Sequence, residues 1–267
     1  MRFWRRAATL TIGSRRYTLD DLQFSFAVEL ADDSKLPICK LDVTNLAPDT
    51  RGQIKKGVPV ALAAGYQDDA GTIFAGNVTE CSHEPGDVDV VTKITAADSI
   101  DAWLSKAINK TYRGPIRAKD MLDDLLTVFG VEVSLVNLTS NKEYPRGRVC
   151  TGKLKDVITA VVKDCGSRLL IRNSQVIIQP AGEGVQRGYL LTPQTGLLRA
   201  KKQAQGTAAV GASDNLIERT CLLNYHLGVG DRVVIRDSSA SGEYSIRTCK
   251  HTGSRSGSWQ TVIEVEP

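Results

Sequence analysis

Three histidines, an aromatic share of 6% and a net charge of +4 leave this 267-residue chain short of the usual chemical tools. No G-x-S-x-G nucleophile turn occurs; Gly253-Ser-Arg-Ser-Gly257 carries Arg255 where the nucleophile would stand. HExxH is absent, and His83, His226 and His251 offer few partners for a Cys/His dyad. Gly228-Val-Gly230 lacks the third glycine and the following helix of a dinucleotide loop. The adjacent pairs Asp68-Asp69 and Asp123-Asp124 read as a polar hairpin tip and a solvated helix face. Neighbouring strand residues point to opposite faces, so neither pair suits two-carboxylate catalysis. The basic doublets Arg15-Arg16, Lys55-Lys56 and Lys201-Lys202 are scattered and lack interleaved aromatics. They read as solvated or interface charge rather than nucleic-acid readout.

Long apolar runs are missing as well, and nothing approaches the length of a bilayer span. Residues 1–6 have the charge of a secretory leader, but residues 7–12 are too short for its apolar region, and Gly13-Ser-Arg-Arg16 interrupts them. The Arg5-Arg6 pair lacks the apolar stretch of a twin-arginine signal. The expectation is a chain made in soluble form that stays where it is made unless it leaves within a particle. CxxC is also absent. The six cysteines, 39, 81, 150, 165, 221 and 249, are spread along apolar strand or helix patterns and are expected to be reduced and buried.

What the chain does have is a repeat. Ile54, Gly57, Val60 and Leu62 have the spacing of Leu227, Gly230, Val233 and Ile235. Each set leads to a strand that begins with glycine, Gly71-Thr-Ile-Phe74 in one and Gly242-Glu-Tyr244-Ser-Ile in the other. Each then meets a Cys-x-His, Cys81-Ser-His83 and Cys249-Lys-His251, and closes with an alternating strand. Cys-x-His on a strand puts both side chains on one face, so two such pairs could together form a Cys₂His₂ metal site. Their equivalent places in two separate units favour packing over convergence on one metal. Duplicated units suggest assembly and symmetry more than catalysis.

Residues 1–98 read as strands. Leu22, Phe24, Phe26, Val28 and Leu30 alternate with polar or small residues. Residues 38–46, 58–64, 73–78 and 88–94 follow as strands of a six-strand barrel or sandwich, with residues 65–71 as a hairpin loop. The middle changes period. Met121, Leu122, Leu125, Leu126 and Phe129 share a helical face stopped by Gly130; Leu154, Val157, Ile158, Val161, Val162 and Cys165 share another stopped by Gly166. Each helix is expected to feed a strand, 131–135 and 169–171, with a hairpin through Asn173-Ser174 returning as 176–178. Residues 139–148 read as a loop of low order. Strand character returns at 189–191, 216–223, 232–236, 244–250 and 259–265, with a turn at 192–196 and an ambiguous stretch at 197–210. The expected fold is mainly β with a small α+β module: two β-barrel or sandwich domains, 1–98 and 188–267, flank the module at 99–187.

The stretch from Asn45-Leu-Ala-Pro through Ile54 and Gly57 to Val60-Ala-Leu62-Ala-Ala-Gly65-Tyr66 and Gly71-Thr-Ile-Phe74-Ala-Gly76 resembles the first domain of tailed-bacteriophage baseplate or tail-tip hub proteins, the late-control protein D type. The segment with Gly230, Val233, Ile235, Gly242, Tyr244, His251 and Trp259 resembles their last domain. The resemblance implies two tail-tube-like β-domains and a non-enzymatic homotrimer whose six units form a pseudo-sixfold ring, so that a sixfold tube can meet a threefold spike. Implied partners are further copies of the chain, the tail tube protein, distal-tail or baseplate proteins, a central spike and the C-terminus of the tape-measure protein, with DNA only in transit. It implies a place at the distal end of a virion tail after synthesis in the host cytoplasm. No catalytic residue, cofactor or metal is implied. Gly57, Gly71, Gly230 and Gly242 are expected at turns or strand starts, Tyr66 and Tyr244 in packing, and Trp259 in a core or a subunit contact. A lumen crossed by DNA should not be lined with Lys and Arg, so the basic doublets are expected elsewhere. Two other classes remain open: a peptidoglycan-targeting component, binding or lytic, and a ring-forming secretion-system subunit.

Overall fold

The computed structural model describes residues 5–31, 36–86, 88–98, 105–130, 132–172, 175–180, 185–200 and 216–267. It has two compact units: Met1–Ala31 with Pro37–Ala97 and Val185–Pro267, and Asp32–Leu36 with Asp98–Gly184.

The first part of the larger unit is a run of strands: β1 (Arg6–Ile12), β2 (Arg15–Thr18), β3 (Phe24–Ala31), β4 (Ile38–Thr44), β5 (Pro59–Tyr66), β6 (Asp69–Pro85) and β7 (Val90–Ala97), with a short helix α1 (Pro48–Gln53) before β5. Alternation sets their faces. In β1, Ala8, Leu10 and Ile12 are buried; in β4, Cys39, Leu41 and Val43 are. They meet Phe24, Phe26, Val28, Val60, Leu62, Phe74 and Ile94 in one core. Two expectations need correction here. Residues 65–71 are not a long loop, because β5 and β6 pair as far as Tyr66 and Asp69, leaving a two-residue turn. β6 runs for 17 residues, well past the stretch its apolar pattern marks.

The smaller unit pairs β8 (Ala107–Tyr112) with β12 (Arg148–Lys153), and β9 (Ile116–Arg117) with β11 (Glu143–Tyr144). Helices α2 (Ala118–Phe129) and α3 (Leu154–Asp164) bury the expected apolar faces. Gly130 (φ 70°) ends α2 and Gly166 (φ 67°) follows the end of α3, both left-handed as the sequence implies. β10 (Val133–Val136), β13 (Ser167–Arg172) and β14 (Gln175–Pro180) form a sheet in which β10 runs parallel to β14. Val131, Asn173 and Ser174 lie outside the described residues. Residues 139–148 are tied down, contrary to the sequence reading. The Thr139 hydroxyl donates to Gly166 O at 2.8 Å, Asn141 Oδ1 accepts from Lys119 N at 3.0 Å, and the Tyr144 hydroxyl donates to Asp164 at 2.9 Å. Asp124 is likewise more than a solvated helix residue, since it accepts from Lys110 at 2.7 Å and from the Tyr112 hydroxyl.

The chain then returns to the larger unit with β15 (Val185–Leu191), a 3₁₀ turn at Pro193–Thr195, β16 (Leu197–Ala200), β17 (Ile217–Leu222), β18 (Asp231–Arg236), β19 (Ser241–Ser254) and β20 (Trp259–Glu266). Leu191, Cys221, Leu227, Val233, Ile235, Ile246, Cys249, Ile263 and Val265 form a second core. Lys201-Lys202 and residues 203–210 lie outside the described residues. The fold is mainly β with an α+β module, as the sequence implies. The strands before and after the module belong to one 13-stranded sheet, in the order β16-β17-β20-β19-β3-β4-β7-β6-β5-β1-β2, with β18 bridging β15 and β19.

Candidate assembly site built from a repeated strand motif

The repeat read from the sequence is a repeat of backbone geometry. Ile54 N donates to Arg51 O at 3.2 Å and Leu227 N to Asn224 O at 3.3 Å. Val58 N donates to Lys55 O at 3.1 Å and Asp231 N to Gly228 O at 3.2 Å. Between them, Gly57 (φ 91°) donates to Val78 O at 2.8 Å and Gly230 (φ 86°) to Ile246 O at 3.0 Å. A Cβ is disfavoured at that φ, so the turn needs glycine twice. Ile54, Val60 and Leu62 are buried in the first core, and Leu227, Val233 and Ile235 in the second.

The correspondence continues through the long strands. The β6–β7 ladder shifts register between Val78 and Glu80, and the β19–β20 ladder between Ile246 and Thr248. Each bulge therefore sits just before the cysteine of Cys-x-His. Cys81 then faces Ile94 and His83 faces Thr92, while Cys249 faces Ile263 and His251 faces Thr261. Each histidine Nδ1 meets the hydroxyl of its threonine, at 3.2 Å for His83 and 2.9 Å for His251.

In the second copy this becomes a buried chain of hydrogen bonds. Thr261 Oγ1 accepts from Asn224 N at 3.0 Å, and the Cys249 thiol donates to Leu227 O at 3.6 Å while its sulfur lies 3.4 Å from His251 Nε2. Both ring nitrogens of His251 therefore have a partner, Cys249 Sγ at Nε2 and Thr261 Oγ1 at Nδ1. A buried imidazole held at both ring nitrogens is a packing device. All six cysteines are free thiols, and burial pushes Cys221 up to about 12.

Among the differences between the copies that the sequence does not announce, two lie in side chains. Arg219 stands opposite Ile263 as Leu41 stands opposite Ile94. Arg219 is 2% exposed and donates through Nε to Asp237 at 2.7 Å and through Nη2 to Ser239 at 2.9 Å. Burial works against the Asp237 carboxylate. The N–H and hydroxyl of Ser239, the Arg219 guanidinium and Ala240 N–H outweigh it and hold its pKa at about 2. Apolar packing in one copy is thus replaced by a buried ion pair in the other. The second difference is the joint between copies. Trp259 is buried in the first core, edge-on to Phe26 at 5.6 Å, and donates to Gly65 O at 3.2 Å. Arg6 lies 5.7 Å from the Trp259 ring centre and donates to Gly257 O at 2.8 Å. Trp259 therefore fastens the two copies within one chain.

The remaining motif residues lie along these strands. Tyr66 is buried, which pushes its phenol up to about 12. A Cβ on Gly71 would come 2.3 Å from the Tyr225 ring, so glycine there admits Tyr225 of the second copy. Gly65 and Gly76 sit against the backbone of Asp69 and Ala97, and Phe74 is in the core. Gly242 has only ordinary contacts with the half-buried Tyr244. Asp69, at the hairpin tip, meets His226 at 3.4 Å. The sequence reading gave no structural role to Thr92, Thr261, Arg219, Asp237 or Arg6; the threonines were detectable as recurring residues after each Cys-x-His. No helix among the described residues is long and apolar enough to cross a membrane.

With the strand order and both bulges known, the decisive observation is a shared course over nearly the whole chain. A 43 kDa tail protein of prophage MuSo2 from Shewanella oneidensis superimposes with a TM-score of 0.72 at 13% identity, covering 97% of both chains. The chain has a phage tail-protein fold. A tail protein from Neisseria meningitidis gives a TM-score of 0.71 at 8% identity, covering 99% of this chain and 97% of its own. An E. coli component of the type VI secretion system, described as structurally similar to the T4 bacteriophage tail proteins gp27 and gp5, gives 0.66 at 13% identity, covering 97% of this chain and 76% of its own. No family model matches the sequence, and no curated protein does.

Proposed function

We propose that this protein is a structural, non-enzymatic hub at the distal end of a phage tail or tail-like particle, joining the tail tube to a spike. The observation that carries the reading is the doubled β-motif held in one sheet by a tail-protein fold. Three chains with two equivalent units each would offer six near-equivalent docking surfaces, which lets a threefold assembly meet a sixfold tube. The division into tube-like domains at 1–98 and 188–267 around the module at 99–187 belongs to this reading. So do the tail tube, distal-tail or baseplate, spike and tape-measure contacts, and the passage of DNA through the ring. The repeated positions 54, 57, 60 and 62, and 227, 230, 233 and 235, would shape the docking units from within rather than touch partners.

Electron cryomicroscopy of assembled tails, with the chain labelled, tests the proposal. Density for three copies at the tip, alternating their two β-units about the axis, is the expected result. Copies along the tube, or a tip assembly without threefold symmetry, would overturn it. The similarity to a type VI secretion component favours a second reading, in which the particle is a secretion machine rather than a virion. Recovery of the chain from sheath-tube particles lacking capsids and DNA would select that version.

A further inference from the structure

β6 and β19 follow the same plan along both edges but do not end with the same neighbours. At Asn77, β6 has β5 on one edge and β7 on the other; at Ser245, β19 has β18 on one edge and β20 on the other. Past the bulge, β19 gains a new neighbour on the edge that β18 has left, because residues 248–254 pair with Ala31–Ser25 of β3. The matching stretch of β6, residues 80–85, has no strand on that edge among the described residues. Glu80, Ser82, His83, Glu84 and Pro85 are exposed, whereas Cys249, His251 and Gly253 are buried.

The backbone of that edge is built to pair. Gly86 N donates to Asp89 O at 2.8 Å at the head of the β6–β7 hairpin, and Ser254 N to Ser258 O at 3.0 Å at the head of β19–β20. Antiparallel bonding alternates from there, so Cys81 and His83 turn their N–H and C=O groups away from β7, as Cys249 and His251 turn theirs towards β3. Pro85 stands where Gly253 stands, with no N–H to offer, and so limits the open ladder to the residues before it.

The strand that would fill the edge is identified by its position in the repeat. β3 reaches β7 through β4, and β16 reaches β20 through β17, so β16 is the counterpart of β3. β16 is paired on one side only among the described residues, and its Leu198 is 54% exposed. Among the described residues each chain thus carries one open receiving edge and one open donating strand, and its own β3–β19 ladder is the template for joining them. We infer that the β6 edge at residues 80–85 receives the β16 edge strand of a second copy of this chain, antiparallel, as β19 receives β3. Such a contact is head-to-tail, and it closes into a ring when the rotation per copy permits. This deepens the ring reading above and rests on it.

His83→Pro tests the inference, because the N–H it removes points away from β7 and the chain's own ladder keeps its bonds. Sedimentation velocity on the full chain, from dilute solution to near its solubility limit, is expected to show a closed oligomer for the wild type and for His83→Ala. His83→Pro should self-associate at least about tenfold more weakly, with unchanged circular dichroism and melting. Amide exchange gives a readout that needs no variant: Cys81 and His83 amides should slow as concentration rises, approaching Cys249 and His251. Association of His83→Pro equal to the wild type, a wild type monomeric at every concentration, or Cys81 and His83 amides indifferent to concentration would each overturn the pairing. If the chain sits at tail tips while this pairing fails, the hub reading survives without it. If the pairing holds and the chain is absent from tails, the hub reading falls.

Discussion

His251 is 1% exposed and His83 lies open to solvent, although each faces a threonine on the next strand across the same bulged hairpin. The histidine–threonine pairing recurs in the two halves; the neighbouring strand does not. β3 covers the second hairpin and nothing among the described residues covers the first. The difference teaches that a repeated sequence sets turns, bulges and register, while burial and its energetic consequences come from strands far away in the chain.

The buried ion pair is where breaking the symmetry should cost most. Arg219→Leu restores the residue type of the first half, yet it strips Asp237 of its guanidinium in a buried place. A loss of about 3–5 kcal/mol in denaturant unfolding is expected. Arg219→Leu combined with Asp237→Ala removes both charges and should recover most of that loss. The same site gives a pH dependence. The Asp237 carboxyl is held below its unfolded value of about 3.9, so its stabilisation is complete above about pH 4 and lost as pH falls towards 2. Melting across that window should fall more steeply for the wild type than for Asp237→Asn.

Thr261→Val orphans the buried Asn224 N–H and should cost about 1–3 kcal/mol. Thr92→Val meets an exposed histidine that water can satisfy and should cost under about 1 kcal/mol by the same melt. Equal losses would mean that the two hairpins share an environment after all. Gly57→Ala and Gly230→Ala sharpen the other side of the comparison. Both residues are left-handed in the same turn, so both changes should cost about 1–2 kcal/mol, with similar values.

Much of this could be read from the chain because its signals are local. The spacing of Gly57 and Gly230 carries the turn, the alternation of β4 and β20 carries their faces, and Gly130 and Gly166 mark the helix stops. What escaped is non-local or disguised. Arg219, in Ile-Glu-Arg-Thr-Cys-Leu, reads as a solvent-facing charge until Asp237 is folded over it. The full length of β6 is hidden because its exposed half is polar and lacks an apolar rhythm. Residues 139–148 look unordered since their bonds are to backbone and side chains elsewhere in the module. The β3–β19 ladder, which makes one sheet of two β-regions, has no local mark in either strand.

That ladder also orders events at the ribosome. Val28 waits for His251, and Arg6 for the carbonyls of residues 254 and 257, so β1 and β3 cannot be sealed until β19 and the turn after it have been translated. Contacts this distant along the chain slow folding and leave sticky intermediates. The edge of β3 therefore stays bare until β19 emerges, and a premature stop codon between the two would release a fragment primed to aggregate.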